Sequence, residues 1–348
     1  MALLKEIADV QTGPFGSQLH KEDYVEVGTP IVTVEHLGNR IFTEQNLPMV
    51  SDEDKERLSK YILQEGDIVF SRVGSVDRCS YVDGAHDGWL FSGRCLRVRP
   101  NHNVDAEYLY YFFTKEETKQ LIRSIAVGAT MPSINTNILN NVEVQLPSLV
   151  IQRKIARVLS VIDKKIEVNN EINRNLSEQL RSIFAEMFIT NAEENWPEKT
   201  LGEFIELERG LSYKGKFLAE DEGVPMLNLG NILPNSVFRP EKIKYYTGEY
   251  KARHIVRPGD IIVANTDLTQ AREVLGSAIR VPNLGYEDVI CSHHISIVRN
   301  SKISNNFLLG LLNMPAYRTR VAGFATGTTV LALPNDTILN CEFQCPTE

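Results

Sequence analysis

The 348-residue sequence lacks the short motifs by which most enzymes of nucleic-acid metabolism are recognised. No Gly-rich loop ends in Gly-Lys-Ser/Thr, which excludes a P-loop nucleotide site. No Asn-Pro-Pro-aromatic segment is present, as an amino-methyltransferase would need, since the nearest stretch is NMPA at 313–316. No cluster of acidic residues with a lysine on a strand is present to indicate a nuclease. The nearest stretch, SDEDKER at 51–57, is typical of a solvated helix start. We therefore expect no catalysis by this chain alone.

Metal-binding patterns are also scarce. The five cysteines are an odd number without framework spacing, so we expect reduced thiols in a cytosol. Cys341 and Cys345 supply half of a zinc site without a partner pair, which favours free core thiols. His293 and His294 are adjacent, and on a strand they would point to opposite faces and could not share a metal. We expect no bound metal.

Long apolar runs are missing as well. No run approaches the ~18 residues needed to span a bilayer, and the N-terminal stretch has no apolar core of signal-peptide length. We therefore expect a cytoplasmic protein without membrane contact. The net charge of −8 is opposite in sign to the usual footprint of a nucleic-acid binder. It does not exclude one, because binding depends on where the basic groups cluster.

Glycine and proline are absent from the 49 residues between Pro147 and Pro197. Apolar residues recur there in steps of three and four, which predicts a helix over residues 148–190. About 38 residues at ~1.5 Å each give a rod of roughly 57 Å. The stripe is narrow and nearly heptad, with polar positions at Asn169 and Asn173, so it predicts a coiled-coil face that pairs with another helix. The alternative is a long helix packed inside one domain. The predicted subunit interface consists of Ile155, Ile162, Ile166, Leu176, Leu180 and Ile183.

The segments on either side of this helix resemble each other. Five blocks recur in the same order at an offset of 193 to 200 residues, which indicates a domain duplication rather than a solenoid. The matched blocks are 4–13 with 201–210, 27–39 with 222–235, 61–74 with 254–267, 91–101 with 291–301, and 128–147 with 327–346.

Each copy has the pattern of a mixed α/β domain dominated by strands. A Gly-Asp turn precedes a β-branched strand in both copies, and the segments CLRVR and ISIVR alternate as strands do. A helix is predicted over 105–126, and its counterpart over 305–325 is interrupted by Pro315. The predicted fold class is α+β, with two similar mixed α/β domains joined by a long helix. Its parts are residues 1–147, the helix at 148–192, and residues 193–348.

Polar loops flanked by glycine occur at matching places in the two copies, at 12–24 and 209–217 and at 71–78 and 264–272. Arg, Asn and Gln can read a base edge through two hydrogen bonds, whereas Lys, Ser and backbone amides anchor phosphate. Polar loops are also what surfaces ordinarily carry, but the pairing favours a recognition surface. The candidate DNA-binding residues are Ser17, Gln18, Lys21, Tyr24, Ser71, Arg72, Ser75, Arg78, Arg209, Ser212, Tyr213, Lys214, Lys216, Asn265, Thr266, Gln270 and Arg272.

Two related domains joined by a heptad helix resemble the specificity subunits of type I restriction–modification enzymes. The resemblance covers nearly the whole chain, and its most specific parts are LPSLVIQRKIARVLSVIDKKI at 146–166 and the preceding GATMPSIN. It implies that each copy is a target recognition domain reading one half of a gapped DNA site. It also implies that the helix spaces the domains and docks methyltransferase subunits, and through them a restriction and motor subunit. S-adenosylmethionine, ATP and Mg²⁺ would then belong to those partners, with no cofactor bound by this chain.

The sequence departs from this family in one respect. A second spacer helix normally follows the second recognition domain, whereas here only CPTE follows the last matched block. We expect either a truncated chain or a helix that pairs with another copy or with a second specificity fragment. Two other functions stay open: a scaffold whose duplicated domains bind proteins, and a fragment of a fused methyltransferase–nuclease.

Overall fold

The computed structural model of the protein describes residues 1–16, 18–128, 130–233, 236–268, 272–327 and 330–346, without the side chains of Lys21 and Asn335. The chain divides into two compact units, Met1–Asn169 and Asn170–Glu348. The division falls inside the long helix, which therefore contributes residues to both units. The domain bounds inferred from the sequence stay a prediction.

Unit 1 is built around a four-stranded antiparallel sheet with the order β2-β9-β6-β7, which we call its central sheet. A second sheet has the order β3-β5-β4-β8, and β1 pairs with β10. The strands are β1 Ala2–Leu3, β2 Ala8–Thr12, β3 Tyr24–Val25, β4 Thr29–Val32, β5 Met49–Val50, β6 Ile68–Ser71, β7 Cys79–Tyr81, β8 Leu90–Phe91, β9 Cys95–Pro100 and β10 Glu143–Val144. The helices are α1 Leu4–Ile7, α2 Asp52–Arg57, α3 Ala106–Thr114, α4 Glu116–Ile125, α5 Thr136–Asn140 and α6 Leu149–Ala185.

Unit 2 repeats this arrangement. Its central sheet has the order β12-β21-β17-β19, its second sheet has the order β13-β15-β14-β20-β16, and β11 pairs with β23 and β18 with β22. The strands are β11 Glu198–Thr200, β12 Glu206–Arg209, β13 Leu218–Ala219, β14 Val224–Leu227, β15 Lys244–Tyr246, β16 Ile255–Val256, β17 Ile261–Ala264, β18 Thr266–Asp267, β19 Ala278–Arg280, β20 Val289–Cys291, β21 Ile295–Arg299, β22 Leu331–Ala332 and β23 Glu342–Gln344. The helices are α7 Asn305–Leu312, α8 Pro315–Gly323 and α9 Asn335–Leu339.

Both faces of each central sheet are buried. In β6, Ile68 and Phe70 pack into one core of unit 1, whereas Val69 packs into the other. In β17, Ile261 and Val263 face one core of unit 2, and Ile262 and Ala264 face the second. A strand covered on both faces has no polar side, which is why these segments read as unbroken apolar runs.

The helices follow the sequence pattern with one difference. The long helix α6 covers 37 residues, and a π-helical segment at Glu186–Thr190 continues it. Pro315 is the first residue of α8, so it interrupts the second-copy helix as expected. The prediction of one continuous helix over 105–126 in the first copy is wrong. Lys115 adopts an extended conformation (φ −61°, ψ 140°) and separates α3 from α4.

An aspartate–arginine ion pair closes the Gly-Asp turn in each unit. Asp67 is 1% exposed and accepts hydrogen bonds from Nε and Nη2 of Arg99, both at 2.7 Å, and from the Gln64 amide at 2.8 Å. The equivalent Asp260 accepts from Arg299 Nη1 at 3.2 Å, and its side chain is 29% exposed. The interaction is thus kept in both copies, but only in unit 1 is the carboxylate buried, since the Arg99 and Arg299 side chains are 29% and 26% exposed.

This difference in burial gives a testable prediction. Replacing Asp67 by Asn should lower the free energy of unfolding by about 3 kcal/mol, because it leaves the Arg99 guanidinium without its charged partner. Asp260→Asn is the matched control and should cost about 1 kcal/mol or less, since solvent screens the exposed pair. Urea unfolding of the full chain measures both. Equal losses of unfolding free energy in the two variants would show that burial of the Asp67 carboxylate does not strengthen its ion pair.

Candidate nucleic-acid interface

The loops singled out by the sequence meet at one edge of each central sheet. In unit 1, β2 ends at Thr12 and β6 ends at Ser71, where β9 begins at Cys95. The register pairs Thr12 with Leu96 and Ser71 with Cys95, so the three chain ends lie side by side. We call this the loop edge. In unit 2 it is formed by Arg209, Ala264 and Ile295, through the pairs Arg209–Ser296 and Ala264–Ile295.

The same backbone hydrogen bonds hold the loop edge in both units. The amide of Arg72 donates to the Arg94 carbonyl at 2.8 Å, and the amide of Asn265 donates to the His294 carbonyl at 3.0 Å. The residue that follows the first strand is a glycine, Gly13 or Gly210, and a Cβ there would overlap the backbone of the turn before β9 or β21. The loops are thus packed backbone to backbone, which leaves no room for a side chain between them.

The candidate residues of unit 1 occupy different environments at this edge. Ser75 and Arg78 are exposed, while buried Val76 between them anchors their loop. The side chain of Gln18 is held in place by one contact, because its Oε1 accepts a hydrogen bond from the Tyr61 hydroxyl at 2.6 Å. Arg72 is half-buried and its Nη1 donates to the Gly93 carbonyl at 3.2 Å. Ser17 and the side chain of Lys21 lie outside the described residues.

Tyr24 borders a cleft beside these loops. The cleft has a volume of about 580 Å³ and is lined also by Phe15, Glu35 and Arg94. Burial, followed by the neighbouring Asp23 carboxylate, raises the pKa of Tyr24 above its ordinary value. The phenol therefore stays protonated at neutral pH and can donate a hydrogen bond.

In unit 2, the exposed candidates are Arg209, Ser212, Lys214, Lys216 and Arg272. Two of them make backbone contacts: Arg209 Nη2 donates to the Leu333 carbonyl at 3.2 Å, and Arg272 Nη1 donates to the Ala322 carbonyl at 2.9 Å. Tyr213 is half-buried beside the ring of His293. Gln270 lies outside the described residues.

Three candidates are buried and serve the loops themselves. The Ser71 hydroxyl donates to the Val73 carbonyl at 2.8 Å, and Ser71 is 1% exposed. The Asn265 Nδ2 donates to Ser296 Oγ at 3.0 Å, and Thr266 Oγ1 lies 2.9 Å from His294 Nδ1. These side chains fix the loop conformation and do not face solvent, so the surface considered below consists of the exposed candidates.

The sequence analysis missed two further elements of the loop edge. The turn before β9 at 92–94 and its counterpart at 292–294 accept the loop amides described above. A second pair of turns docks nearby, since Ile134 donates its amide to the Arg72 carbonyl and Leu333 donates to the Asn265 carbonyl. Both pairs of turns lie in repeat blocks that the sequence analysis did not consider for DNA contact. Their matching positions in the two copies were the signal that could have identified them.

The prediction that His293 and His294 point to opposite faces of a strand is wrong. His293 and His294 occupy the turn before β21 and not a strand, so their rings do not point to opposite faces. Their centroids are 3.9 Å apart, with an interplanar angle of 38°. Burial, then His293 and Lys244, lowers the pKa of His294, so neutral imidazole is favoured there. In the described part of the chain, no group of three or more His, Cys, Asp or Glu side chains could hold a metal ion.

The predicted subunit-interface residues lie on α6 with their side chains open to solvent. Their exposed fractions run from 38% at Ile155 to 68% at Leu180. The other members are Ile162, Ile166, Leu176 and Ile183. Their role in assembly stays a prediction. Among the described residues, no helix is both long enough and apolar enough to cross a membrane.

Comparison with known proteins gives consistent matches. The family model for type I restriction modification DNA specificity domains matches residues 2–178, just over half of the chain. The putative type I restriction enzyme MjaX specificity subunit of Methanocaldococcus jannaschii is 28% identical over 301 residues, 78% of this chain and 70% of that protein. The MjaVIII specificity subunit of the same organism is 23% identical over 292 residues, 76% of this chain and 67% of that protein.

The fold is also found in a solved structure. The crystal structure of a type I restriction–modification S subunit from M. genitalium aligns with a TM-score of 0.54 at 16% identity. The alignment covers 97% of this chain and 85% of that one. At this identity the likeness establishes the α+β fold with its long helix between two domains.

The close packing at the loop edge can be tested at Gly13. Gly13→Ala should lower the free energy of unfolding by ~1–3 kcal/mol, because the new methyl group overlaps the backbone of Ser92 and forces the two loops apart. Gly16→Ala is the matched control in the same loop, since a Cβ there meets nothing within 4 Å. Thermal or urea unfolding compares the two variants. If they are equally stable, the loops do not require the close approach.

Proposed function

This chain belongs to the family of type I restriction–modification DNA specificity domains, and from that premise we propose that it reads DNA without catalysing a reaction itself. Each unit reads one half of a gapped double-stranded site through the loops at its loop edge. Methyltransferase and restriction subunits would supply the chemistry. S-adenosylmethionine, ATP and Mg²⁺ belong to those subunits in this proposal.

One observation carries the proposal. The two units share the strand order of the central sheet and the hydrogen bonds of the loop edge, yet differ in the side chains that the loops present. Exposed Phe15 lies two residues after Gly13 where exposed Ser212 lies two residues after Gly210, and exposed Arg94 precedes β9 where half-buried His294 precedes β21. A scaffold kept constant while its exposed side chains change suits two readers of unequal sequences. It therefore supports a bipartite site whose halves differ.

The exposed side chains have suitable chemistry for this task. Arg78 and Arg272 can each donate two hydrogen bonds to the major-groove edge of guanine. Lys214 and Lys216 can neutralise phosphates, with an affinity that falls as salt rises. The charges of these side chains act locally, so the net charge of −8 does not prevent them from binding phosphate.

The apolar stripe of α6 supports the proposal that this helix docks partner subunits. The predicted interface residues on it are at least 38% exposed, with Ile155, Ile162 and Ile166 in unit 1 and Leu176, Leu180 and Ile183 in unit 2. Exposed aliphatic side chains repeated along one helix are typical of a protein contact surface. Methyltransferase helices, a second copy of the chain, or another specificity fragment would cover it. A restriction and motor subunit would join through the methyltransferase.

A protein-binding scaffold is the second candidate, favoured by the acidic net charge. The two functions differ in their salt dependence. A DNA reader should lose affinity for duplex DNA steeply as salt rises, whereas a scaffold should show no such affinity.

Methylome sequencing tests the proposed function directly. Cells expressing this chain with its methyltransferase subunit should gain a gapped motif with methylated adenines in both halves. The control is the same methyltransferase with an established specificity subunit, which shows that the enzyme is active. Active methyltransferase without a new motif would contradict DNA reading by this chain.

The proposed role of α6 gives a separate prediction. Ile162→Asp should abolish assembly with the methyltransferase subunit without unfolding either unit, because it places a charge in the apolar stripe. Val161→Asp is the matched control, since Val161 is 51% exposed and Ile162 is 49% exposed on the same helix. Co-purification and size-exclusion chromatography report assembly. Equal assembly of both variants would show that the stripe is not the contact surface.

A further inference from the structure

The turn before β9 and the turn before β21 occupy the same place in their units but carry different chemistry. Each turn receives an amide hydrogen bond from the loop after the neighbouring strand, and each abuts the glycine of the first loop. The backbone frame is therefore the same. The residues in the frame are Gly93 and Arg94 in unit 1, and His293 and His294 in unit 2.

In unit 1 the frame holds an aromatic ring and permanent charges. Phe15 is 53% exposed, and the Arg72 guanidinium lies 5.6 Å from the centre of its ring. Arg94 is exposed and lines the cleft of about 580 Å³ together with Phe15, Tyr24 and Glu35. An exposed ring beside guanidinium donors and a carboxylate acceptor can stack on a base and read its edge. Arginine stays charged at every accessible pH.

In unit 2 the frame holds three neighbouring rings that are tilted against one another, by 49° between Tyr213 and His293 and by 38° between His293 and His294. The ring of Tyr213 is 5.8 Å from that of His293, which lies 3.9 Å from that of His294. Thr266 bonds His294 Nδ1, whereas the buried Nδ1 of His293 has no hydrogen-bond partner among the described residues. An unpartnered buried ring nitrogen is costly, and a donor or acceptor brought by a ligand would satisfy it.

We propose that these two turns contact the two DNA half-sites and make them chemically different, through a permanently charged arginine in unit 1 and a titratable histidine pair in unit 2. This inference rests on the proposed function and adds residues to it. The new specificity-determining residues are Phe15, Arg94, His293 and His294. None of them was among the candidates drawn from the sequence.

The histidine pair makes one half-site sensitive to pH. The groups that face it are Tyr213 from the first loop, Thr266 from β18 and Lys244 from β15, whose charge acts on His294. Burial, then His293 and Lys244, lower the pKa of His294, so its imidazole is neutral in the free chain. A DNA phosphate nearby favours protonation and raises the pKa of His294 in the complex. Affinity should therefore rise as pH falls toward the pKa of His294 in the free chain, and the gain is lost as pH rises through its pKa in the complex.

The experiment uses the full chain and a library of random duplex DNA, from which bound sequences are enriched at about pH 6 and about pH 8, the range in which histidine titrates. The wild-type chain should enrich a gapped motif at both values. One half should weaken several-fold toward pH 8, and the other should not change. The unchanged half is an internal control for salt, folding and nonspecific binding.

Three variants assign the halves. His294→Gln keeps a polar group beside Thr266 and should remove the pH dependence and relax base preference in the sensitive half alone. Arg94→Gln changes an exposed side chain and should relax the other half with the pH dependence intact. His102→Gln replaces an exposed histidine beyond the opposite end of β9 and should change neither half. Circular dichroism before selection confirms that each variant is folded.

The outcomes separate this inference from the function on which it rests. A wild-type motif that is independent of pH, with both halves preserved in His294→Gln and Arg94→Gln, would overturn the inference and leave the function standing. Equal weakening of both halves in either variant would mean a general phosphate contact and would also overturn it. Unchanged DNA selection with lost methyltransferase binding would assign the turns to a protein partner instead. A wild-type chain that enriches no motif would overturn the proposed function and the inference with it.

Discussion

The candidate recognition surface depends on one antiparallel ladder in each unit. The central strand, β9 or β21, pairs on one side with β2 or β12 and on the other with β6 or β17. In antiparallel pairing, the end of one strand lies beside the start of its neighbour. The first and second loops therefore leave the sheet next to the turn that precedes the central strand. The convergence of these loops follows from strand direction, and no side chain has to enforce it.

A frame built from backbone can keep its shape while its side chains change. Gly13 and Gly210 allow the loops to approach the turns closely, and the amides of Arg72 and Asn265 tie the second loop to the same turns. Buried polar side chains such as Ser71 and Asn265 complete the loops from inside. These groups are under structural constraint because an unsatisfied buried polar atom is costly. The exposed positions beside them are free of this constraint, so the two units can carry different side chains there without a change in the frame.

Periodicity and repetition predicted most of the architecture, because both arise from the backbone. The buried strands β6 and β17 were evident as β-branched runs after Gly-Asp, and α6 as a long apolar stripe without glycine or proline. The break at Lys115 was not predictable from composition, because lysine is a good helix former and tertiary packing of α3 decides where the chain turns. The close approach of His293 and His294 was missed for a related reason. The two residues lie one residue after β20, and the turn there is closed by the hydrogen bond from the Ile295 amide to the Ser292 carbonyl and held by the tertiary bond from Asn265.

Within unit 1, α6 is oriented by polar contacts while its apolar stripe stays uncovered. Gln152 is 1% exposed, accepts the amide of Asp105 at 2.9 Å and donates to the Pro147 carbonyl at 2.8 Å. About three turns further along, Asp163 accepts the Tyr111 hydroxyl at 2.7 Å. Directional bonds of this kind fix the rotation of a helix about its own axis. Ile155 and Ile162 nevertheless stay 38% and 49% exposed, so unit 1 presents this stripe to solvent in a fixed direction. A rigidly presented apolar face loses little conformational entropy on docking. Pairing with another helix would therefore remove it from water at a low entropic cost.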